Sequence, residues 1–123
     1  MKSDVKKQLE GELDKYIKGK GDFTPYYPGM DILASELYKE QLKKASDLIK
    51  KQSESEMKSF ELYLDTIIIN MHTKVKKYKK SIYFDNENIK DIENQGYTIV
   101  FYIDEKNSKY ALLGLLKSKA LPQ

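Results

Sequence analysis

Few side chains in this 123-residue chain are suited to catalysis or to metal binding. The sequence has no cysteine and a single histidine, His72. No acidic residue stands three or four positions from His72, so it lacks the companion ligands that a tetrahedral zinc site needs. Neither a Gly-x-Ser-x-Gly elbow nor a Gly-x-x-x-x-Gly-Lys-[Ser/Thr] phosphate loop occurs. The residue types therefore predict no catalytic residue, no metal and no cofactor, and they argue against an enzyme.

A run of lysines forms the most concentrated charge in the sequence. Its five members are Lys74, Lys76, Lys77, Lys79 and Lys80. One interpretation is a solubilising helix end, where positive charge also favours the C-terminal dipole. The alternative is salt-sensitive contact with a nucleic-acid backbone or an acidic partner. All 22 basic residues are lysine, and without the planar fork of arginine a specific readout of bases is disfavoured.

A second candidate binding segment is the loop over residues 19–30, which contains three glycines and two prolines. Three aromatic residues, Phe23, Tyr26 and Tyr27, lie within it. Large aromatic side chains tend to be buried, so they could fold back on the domain as a lid. The functional interpretation is an exposed aromatic loop that contacts a partner.

Composition indicates one globular domain over residues 1–123. Hydrophobic residues make up 40% and charged residues 33%, with 6 glycines and 3 prolines, which excludes collagen-like and disordered chains. No uncharged run, including 66–73 and 110–116, approaches the roughly 20 residues of a membrane span. No signal-peptide core is visible near the N-terminus, so we expect a soluble protein and no membrane contact.

The helical patterns that would position these residues occupy the first two thirds of the chain. Apolar spacing predicts a helix over 2–18, which with its loop forms a segment 1–30. A second helix over 31–52, capped by Asp31, and a third that begins at the capping box Ser53–Glu56 and runs to residue 78 form a helical hairpin or a kinked long helix over 31–80. The β-branched run 66–69 favours a strand, but the helical spacing continues on both sides of it.

The segment 81–123 is predicted to hold a short strand, a short helix and a β-hairpin. Ser81–Phe84 is the candidate strand, and Asp85 or Asn86 would cap the helix, which carries Ile89 and Ile92 and ends at Gly96. The hairpin strands are 97–104 and 109–117. The predicted fold is therefore α+β, with three N-terminal helices, a short helix, and a small C-terminal antiparallel sheet made of the hairpin and the candidate third strand.

Both hairpin strands are apolar on both faces, which is unusual for an antiparallel sheet with one wet face. Helices can cover one face, and the other requires either the remaining helices or another chain. We expect Ile67, Ile68 and Met71 to pack on Phe101 and Leu113. If the sheet is left open, a partner would contact the last strand, and the candidate partner-binding residues there are Tyr110, Leu113 and Leu115.

The half of the chain from Met57 to Leu116 resembles small uncharacterised phage proteins of low-GC Gram-positive hosts. The resemblance is carried by Ser81–Phe84, by the turn Ile92-Glu93-Asn94-Gln95-Gly96-Tyr97, and by the hairpin. Many of those proteins have a tryptophan at the end of the last strand, and this chain has none. The resemblance implies a phage or prophage origin and no reaction.

A second resemblance concerns residues 97–119, which look like the final hairpin of RelE/HigB-type ribosome-dependent RNases. Those enzymes use basic residues around the cleaved mRNA, and here Lys117 and Lys119 could take that part. The helical N-terminal half and the lack of an early strand depart from that fold.

The function these observations favour is that of a non-enzymatic phage-type protein that acts through protein–protein contact. A small virion component is preferred over an accessory protein that binds and inhibits a host factor. Two further candidates are a lysine-rich nucleic-acid-binding protein and an RNase toxin. The partner would be another protein or a second copy of the chain, located in the host cytoplasm or the virion.

Overall fold

Three helices pack on the two faces of a six-stranded mixed sheet in the computed structural model, which describes residues 2–26 and 31–118. The helices are α1 Lys2–Ile17, α2 Glu36–Gln52 and α3 Glu54–Ile69. The strands are β1 Thr24–Pro25, β2 Ile32–Ala34, β3 Lys79–Lys80, β4 Ile89–Asn94, β5 Tyr97–Asp104 and β6 Lys109–Lys117. Their order is β1-β2-β6-β5-β4-β3, and β2 runs parallel to β6 while the other neighbours are antiparallel.

The α+β class is confirmed, but the prediction of a small C-terminal antiparallel sheet is wrong. The sheet has six strands in the described residues and draws two of them, β1 and β2, from the first third of the chain. The sequence pattern did not indicate β2, because Leu33 and Leu37 are four residues apart and continue the apolar spacing of the helix that follows. That helix begins at Glu36 and not near Asp31, because Ser35 is its N-cap and accepts a hydrogen bond from the Tyr38 amide at 3.0 Å.

The third predicted helix begins correctly and ends early. Ser53 caps α3 by accepting from the Glu56 amide at 3.2 Å, which confirms the predicted helix start. The reciprocal half of the capping box is not formed, because the Ser53 amide donates to the carbonyl of Ile49 at 3.0 Å. The helix stops at Ile69, where the Asn70 side chain donates to the carbonyl of Thr66 at 2.9 Å. Two 3-10 turns, Met71–Thr73 and Val75–Lys77, replace the predicted continuation to residue 78.

The predicted short helix near residue 90 is wrong, because this segment is strand β4. Ile89 and Ile92 are three residues apart, which suggests one helical face. In the strand they lie on opposite faces and enter separate core clusters. Gln95 and Gly96, with φ of 54° and 83°, form the two-residue turn to β5, so Gly96 serves a hairpin and not a helix end. The candidate strand Ser81–Phe84 is also wrong, because the short strand is β3, directly before it.

The sheet is covered on both faces by the helices of the same chain. One core cluster joins α2 and α3 to the sheet and contains Ile68, Met71 and Phe101. The cluster on the other face contains Leu9 of α1 together with Leu113. The internal sandwich is therefore the correct alternative for the hairpin, and the predicted packing of α3 is confirmed for Phe101 and wrong for Leu113.

Candidate functional site

Strand β6, the predicted contact strand, lies inside the sheet and not at its edge. β2 pairs with it from Tyr110 to Leu112, and beyond that point two side chains from the start of α2 take over. Ser35 Oγ donates to the carbonyl of Leu113 at 2.9 Å, and the amide of Leu115 donates to Gln41 Oε1 at 2.7 Å. This edge of β6 is closed by the chain itself.

The candidate partner-binding residues of β6 are consequently placed in or near the core. Leu113 and Leu115 are 0% and 2% exposed, so neither presents a surface to a partner. Tyr110 is half-buried, its amide donates to the carbonyl of Asp31 at 2.8 Å, and its ring contacts that of Phe101. Leu113 and Leu115 therefore lie in the core, and partner contact through Tyr110 stays a prediction.

The aromatic loop also folds back on the domain where the structure describes it. Phe23 is half-buried and meets the ring of Tyr16 edge-on, with centroids 5.2 Å apart. Tyr26 is half-buried against the cluster of α2 and α3, and its hydroxyl donates to the carboxylate of Asp65. Tyr27 lies outside the described residues. Phe23 and Tyr26 have the positions expected of a lid.

The opposite edge of the sheet is built differently. Strand β3 has two residues and pairs only with Lys90 and Asp91 of β4. The carbonyl of Ile89 accepts from the Ser81 amide at 2.8 Å, so the backbone N–H and C=O of Ile89 point towards β3. Because these groups alternate in direction along a strand, those of Asp91 and Glu93 point to the same side. Because the pairing stops at Asp91, the backbone of Glu93 faces outward without a strand partner among residues 31–118.

The five lysines of the basic run do not lie on an α-helix. Lys79 and Lys80 form β3, Lys76 and Lys77 lie in the second 3-10 turn, and Lys74 precedes that turn; all five are exposed. Lys80 forms ion pairs with Asp85 at 3.1 Å and Glu87 at 3.6 Å, and the hydrogen bond to Asp85 raises its pKa. The remaining members have no ion pair within 4.0 Å in the described part of the chain: Lys74, Lys76, Lys77 and Lys79.

A cleft of about 310 Å³ opens where β3 and β4 separate, and we call it the edge cleft. It is lined by Lys77, Tyr78, Lys79, Lys80, Ile82, Asp91, Ile92 and Glu93. The side chain of Ile82 is 74% exposed, more than any other large apolar residue that the structure describes. Sequence reasoning found the lysines but missed Ile82, Asp91 and Glu93, because only the pairing of β3 with β4 brings the two segments together.

Asp91 contributes an unusual polar group to the edge cleft. Its Oδ2 accepts from the amide of Ile82 at 3.1 Å, and its Oδ1 is buried without a hydrogen-bond partner in the described structure. Burial raises the pKa of Asp91 above the usual range of an aspartate. Hydrogen bonds from the Ser81 hydroxyl and the Ile82 amide oppose this shift, so the chain itself partly satisfies the Asp91 carboxylate.

A larger cleft of about 530 Å³ lies between the end of α1 and the β5–β6 turn, and its buried carboxylate, Asp104, already has hydrogen-bond donors from the chain. Asp104 Oδ2 accepts from the Tyr16 hydroxyl at 2.6 Å and from Asn107 Nδ2 at 2.8 Å. Although burial opposes ionisation, these donors hold the pKa of Asp104 below its usual range. Burial and the nearby carboxylate raise the pKa of Tyr16. This arrangement clamps α1 to the hairpin.

Other chemistry finds little support in the described residues. His72 is exposed in a 3-10 turn, and residues 2–26 and 31–118 contain no group of three or more histidine, aspartate or glutamate side chains arranged to hold a metal ion. Within the same ranges no helix combines the length and the apolar character that crossing a bilayer requires.

Comparisons of the chain with protein-family models and with curated proteins give no match.

Proposed function

We propose that this chain is a non-enzymatic protein that acts by binding another protein. Within that class, a small phage virion component is the first role, and an accessory protein that binds and inhibits a host factor is the second. The phage origin rests on the resemblance of residues 57–116 described above. The location that follows is the virion or the host cytoplasm.

The observation that supports a binding role is the open, lysine-bearing edge of the sheet. Unpaired edges invite added strands, and natural proteins restrict this with short edge strands and lysines. Here the edge strand has two residues and both are lysine, yet Ile82 beside it remains 74% exposed. Such an edge resists indiscriminate pairing and admits a partner whose charge is complementary.

A second exposed apolar surface lies on α3. Leu62 and Tyr63 are 64% and 58% exposed, and Ile69, two turns after Leu62, is 39% exposed. Scattered apolar residues are common on surfaces, but neighbouring ones more often mark interfaces. The two surfaces can be separated by mutation, because they lie on different elements.

Affinity capture with paired variants tests the proposal. Tagged wild-type protein, Ile82→Ser and Leu62→Ser would be incubated with extracts and virions from the source of the gene. We expect one specific protein to be retained by the wild type and lost with one of the two variants, while circular dichroism shows unchanged folding. A wild-type chain that stays monomeric across a concentration series and retains no specific partner contradicts the proposal.

Nucleic-acid binding is a second candidate, favoured by the four exposed lysines without ion pairs. Contact with phosphates predicts that log affinity falls linearly with log salt concentration. Changing Lys74, Lys76, Lys77 and Lys79 to glutamine should weaken binding to any DNA or RNA and make this slope shallower. Absence of binding at about 50 mM salt, where such contacts are strong, excludes this candidate.

One observation also favours the RNase toxin. At the level of the sequence, the lack of an early strand was a departure from the RelE/HigB pattern. The structure has such a strand, β2, followed by two helices and the antiparallel strands. Lys117 is exposed at the end of β6, and Lys119 lies outside the described residues. Induction of the gene should then arrest translation, and Lys117→Ala should relieve the arrest. Normal protein synthesis after induction would exclude this candidate.

A further inference from the structure

We propose that the edge cleft receives an extended acidic segment of the partner protein, which pairs with the backbone of Glu93 in line with β3. This inference rests on the proposed function and names the part of the partner that is bound. The chemistry it requires is a strand with carboxylates at some positions and apolar side chains between them.

The backbone argument starts from the length of the two strands. β4 extends to Asn94, whereas its pairing with β3 stops at Asp91. The register that pairs Lys79 with Asp91 would place Lys77 opposite Glu93, but Lys77 lies in a 3-10 turn and leaves the sheet. An incoming strand can occupy this place and gain main-chain hydrogen bonds, as in other cases of strand addition.

The side chains around the gap select the occupant. Lys77 and Lys79 line the edge cleft without ion pairs in the described structure, so they can receive carboxylates. Ile82 adds a largely exposed apolar contact to the same cleft. An edge that exposes lysines and one large apolar side chain suits a segment in which acidic and apolar residues alternate.

A peptide fits the edge cleft better than a nucleic acid does. Asp91 and Glu93 form one wall, and Asp85 and Glu87 neutralise Lys80 at the rim. A continuous line of phosphates would approach these carboxylates as well as the lysines. A peptide can place its few carboxylates on the lysine side, away from Asp91 and Glu93.

The test is a titration followed by amide chemical shifts and amide hydrogen exchange in an NMR experiment. The probe is a pool of blocked peptides of about eight residues, longer than a typical strand, with glutamate at alternate positions and valine, isoleucine or tyrosine between them. We expect shift changes confined to residues 77–82 and 91–93, and slower exchange of the Glu93 amide. Ile82→Ser should abolish these changes, and the double change Lys77→Gln with Lys79→Gln should weaken affinity about fivefold, as expected for two exposed ion pairs.

Matched controls make each part of the inference falsifiable. The pair Lys43→Gln and Lys44→Gln removes the same charge from exposed positions of α2 and should leave binding unchanged. Equal binding of lysine-for-glutamate peptides would overturn the charge argument, and equal binding of proline-interrupted peptides would overturn strand addition. A preference for single-stranded oligonucleotides at the same residues would assign the cleft to nucleic acid. No peptide binding, alongside capture of a protein that is insensitive to Ile82→Ser, would overturn this inference and leave the proposed function standing.

Discussion

The long strands β6 and β4 are each flanked on their outer side by a strand of only three or two residues, β2 or β3, yet the β6 side is closed and the β4 side is open. Beyond β2, Ser35 and Gln41 satisfy the backbone of β6 from the start of α2. Next to β3, on the side towards Glu93, the chain leaves the sheet in the 3-10 turn Val75–Lys77, and no strand pairs with Glu93 in the described structure. The difference teaches that a short edge strand does not by itself decide whether a sheet can accept a partner. What decides it is whether the residues next to the short strand supply hydrogen-bond partners for the rest of the longer strand.

The largest expected difference in unfolding free energy is between truncating an apolar side chain on the closed side of the sheet and truncating one on the open side. Leu112 of β6 is 0% exposed, so Leu112→Ala should lower the free energy of unfolding by about 2–5 kcal/mol. Ile82→Ala on the open side should change it by less than about 0.5 kcal/mol, because that side chain is mostly in water. Denaturant titration measures both. A large loss with Ile82→Ala would mean that Ile82 belongs to the core and not to a surface.

The closing contact itself is the next target. Gln41→Ala removes the acceptor for the Leu115 amide and should cost about 1–3 kcal/mol, the penalty for an unsatisfied buried donor. Gln8→Ala, at an exposed position of α1, is the matched control and should be nearly neutral. Hydrogen exchange of the Leu115 amide should accelerate in the first variant only. If it stays protected, another group closes this side.

The clamp between α1 and the hairpin allows a sharper comparison with the open edge. Tyr16→Phe deletes a hydrogen bond to a carboxylate and should cost about 1.5 kcal/mol at neutral pH. Since the pKa of Asp104 is lowered in the folded state, its contribution to stability is present above the unfolded pKa of an aspartate. It is lost as pH falls through the folded pKa. The difference between wild type and Tyr16→Phe should therefore shrink in acid, and a difference that is constant with pH would contradict the role of Asp104.

Asp91 should show the smallest effect, with the opposite sign. Its folded pKa is raised by burial, so the ionised form disfavours folding at neutral pH. This penalty shrinks as pH falls below the folded pKa and is absent below the unfolded pKa of an aspartate. Compared with Asp91→Asn, the wild-type chain should gain relative stability on mild acidification. Thermal melts across that pH range measure the trend. A relative loss for the wild type would show that Asp91 is already satisfied.

Local signals in the sequence were sufficient for the elements that depend on neighbours in the chain. The apolar spacing of residues 2–18 located α1 to within one residue, and Ser53 marked the start of α3. The strands β5 and β6 were also found, because long apolar strands joined by a four-residue turn leave few alternatives. These signals act over a few residues and need no knowledge of the rest of the fold.

The remaining elements depend on contacts distant in sequence, and local spacing misled there. Ile32–Ala34 is too short to be recognised as a strand, and only β6 makes it one. Ile89 and Ile92 imitate a helix because each serves a different face of the sheet. For the same reason the lysines of the edge cleft were identified but placed on a helix, and the residues opposite them were not identified at all.

The central position of β6 also has a consequence for how the chain acquires its fold. β6 is made after all its neighbours, and the bond from Ser35 to Leu113 spans 78 residues. Neither α1 nor β2 can therefore be buried until β6 has been synthesised, whereas α2 and α3 can pack together as soon as both have been synthesised. Closing such distant contacts is slow compared with forming local ones. The early segments should remain open to chaperones and proteases until synthesis reaches β6, at which point the sheet and both its coverings form together.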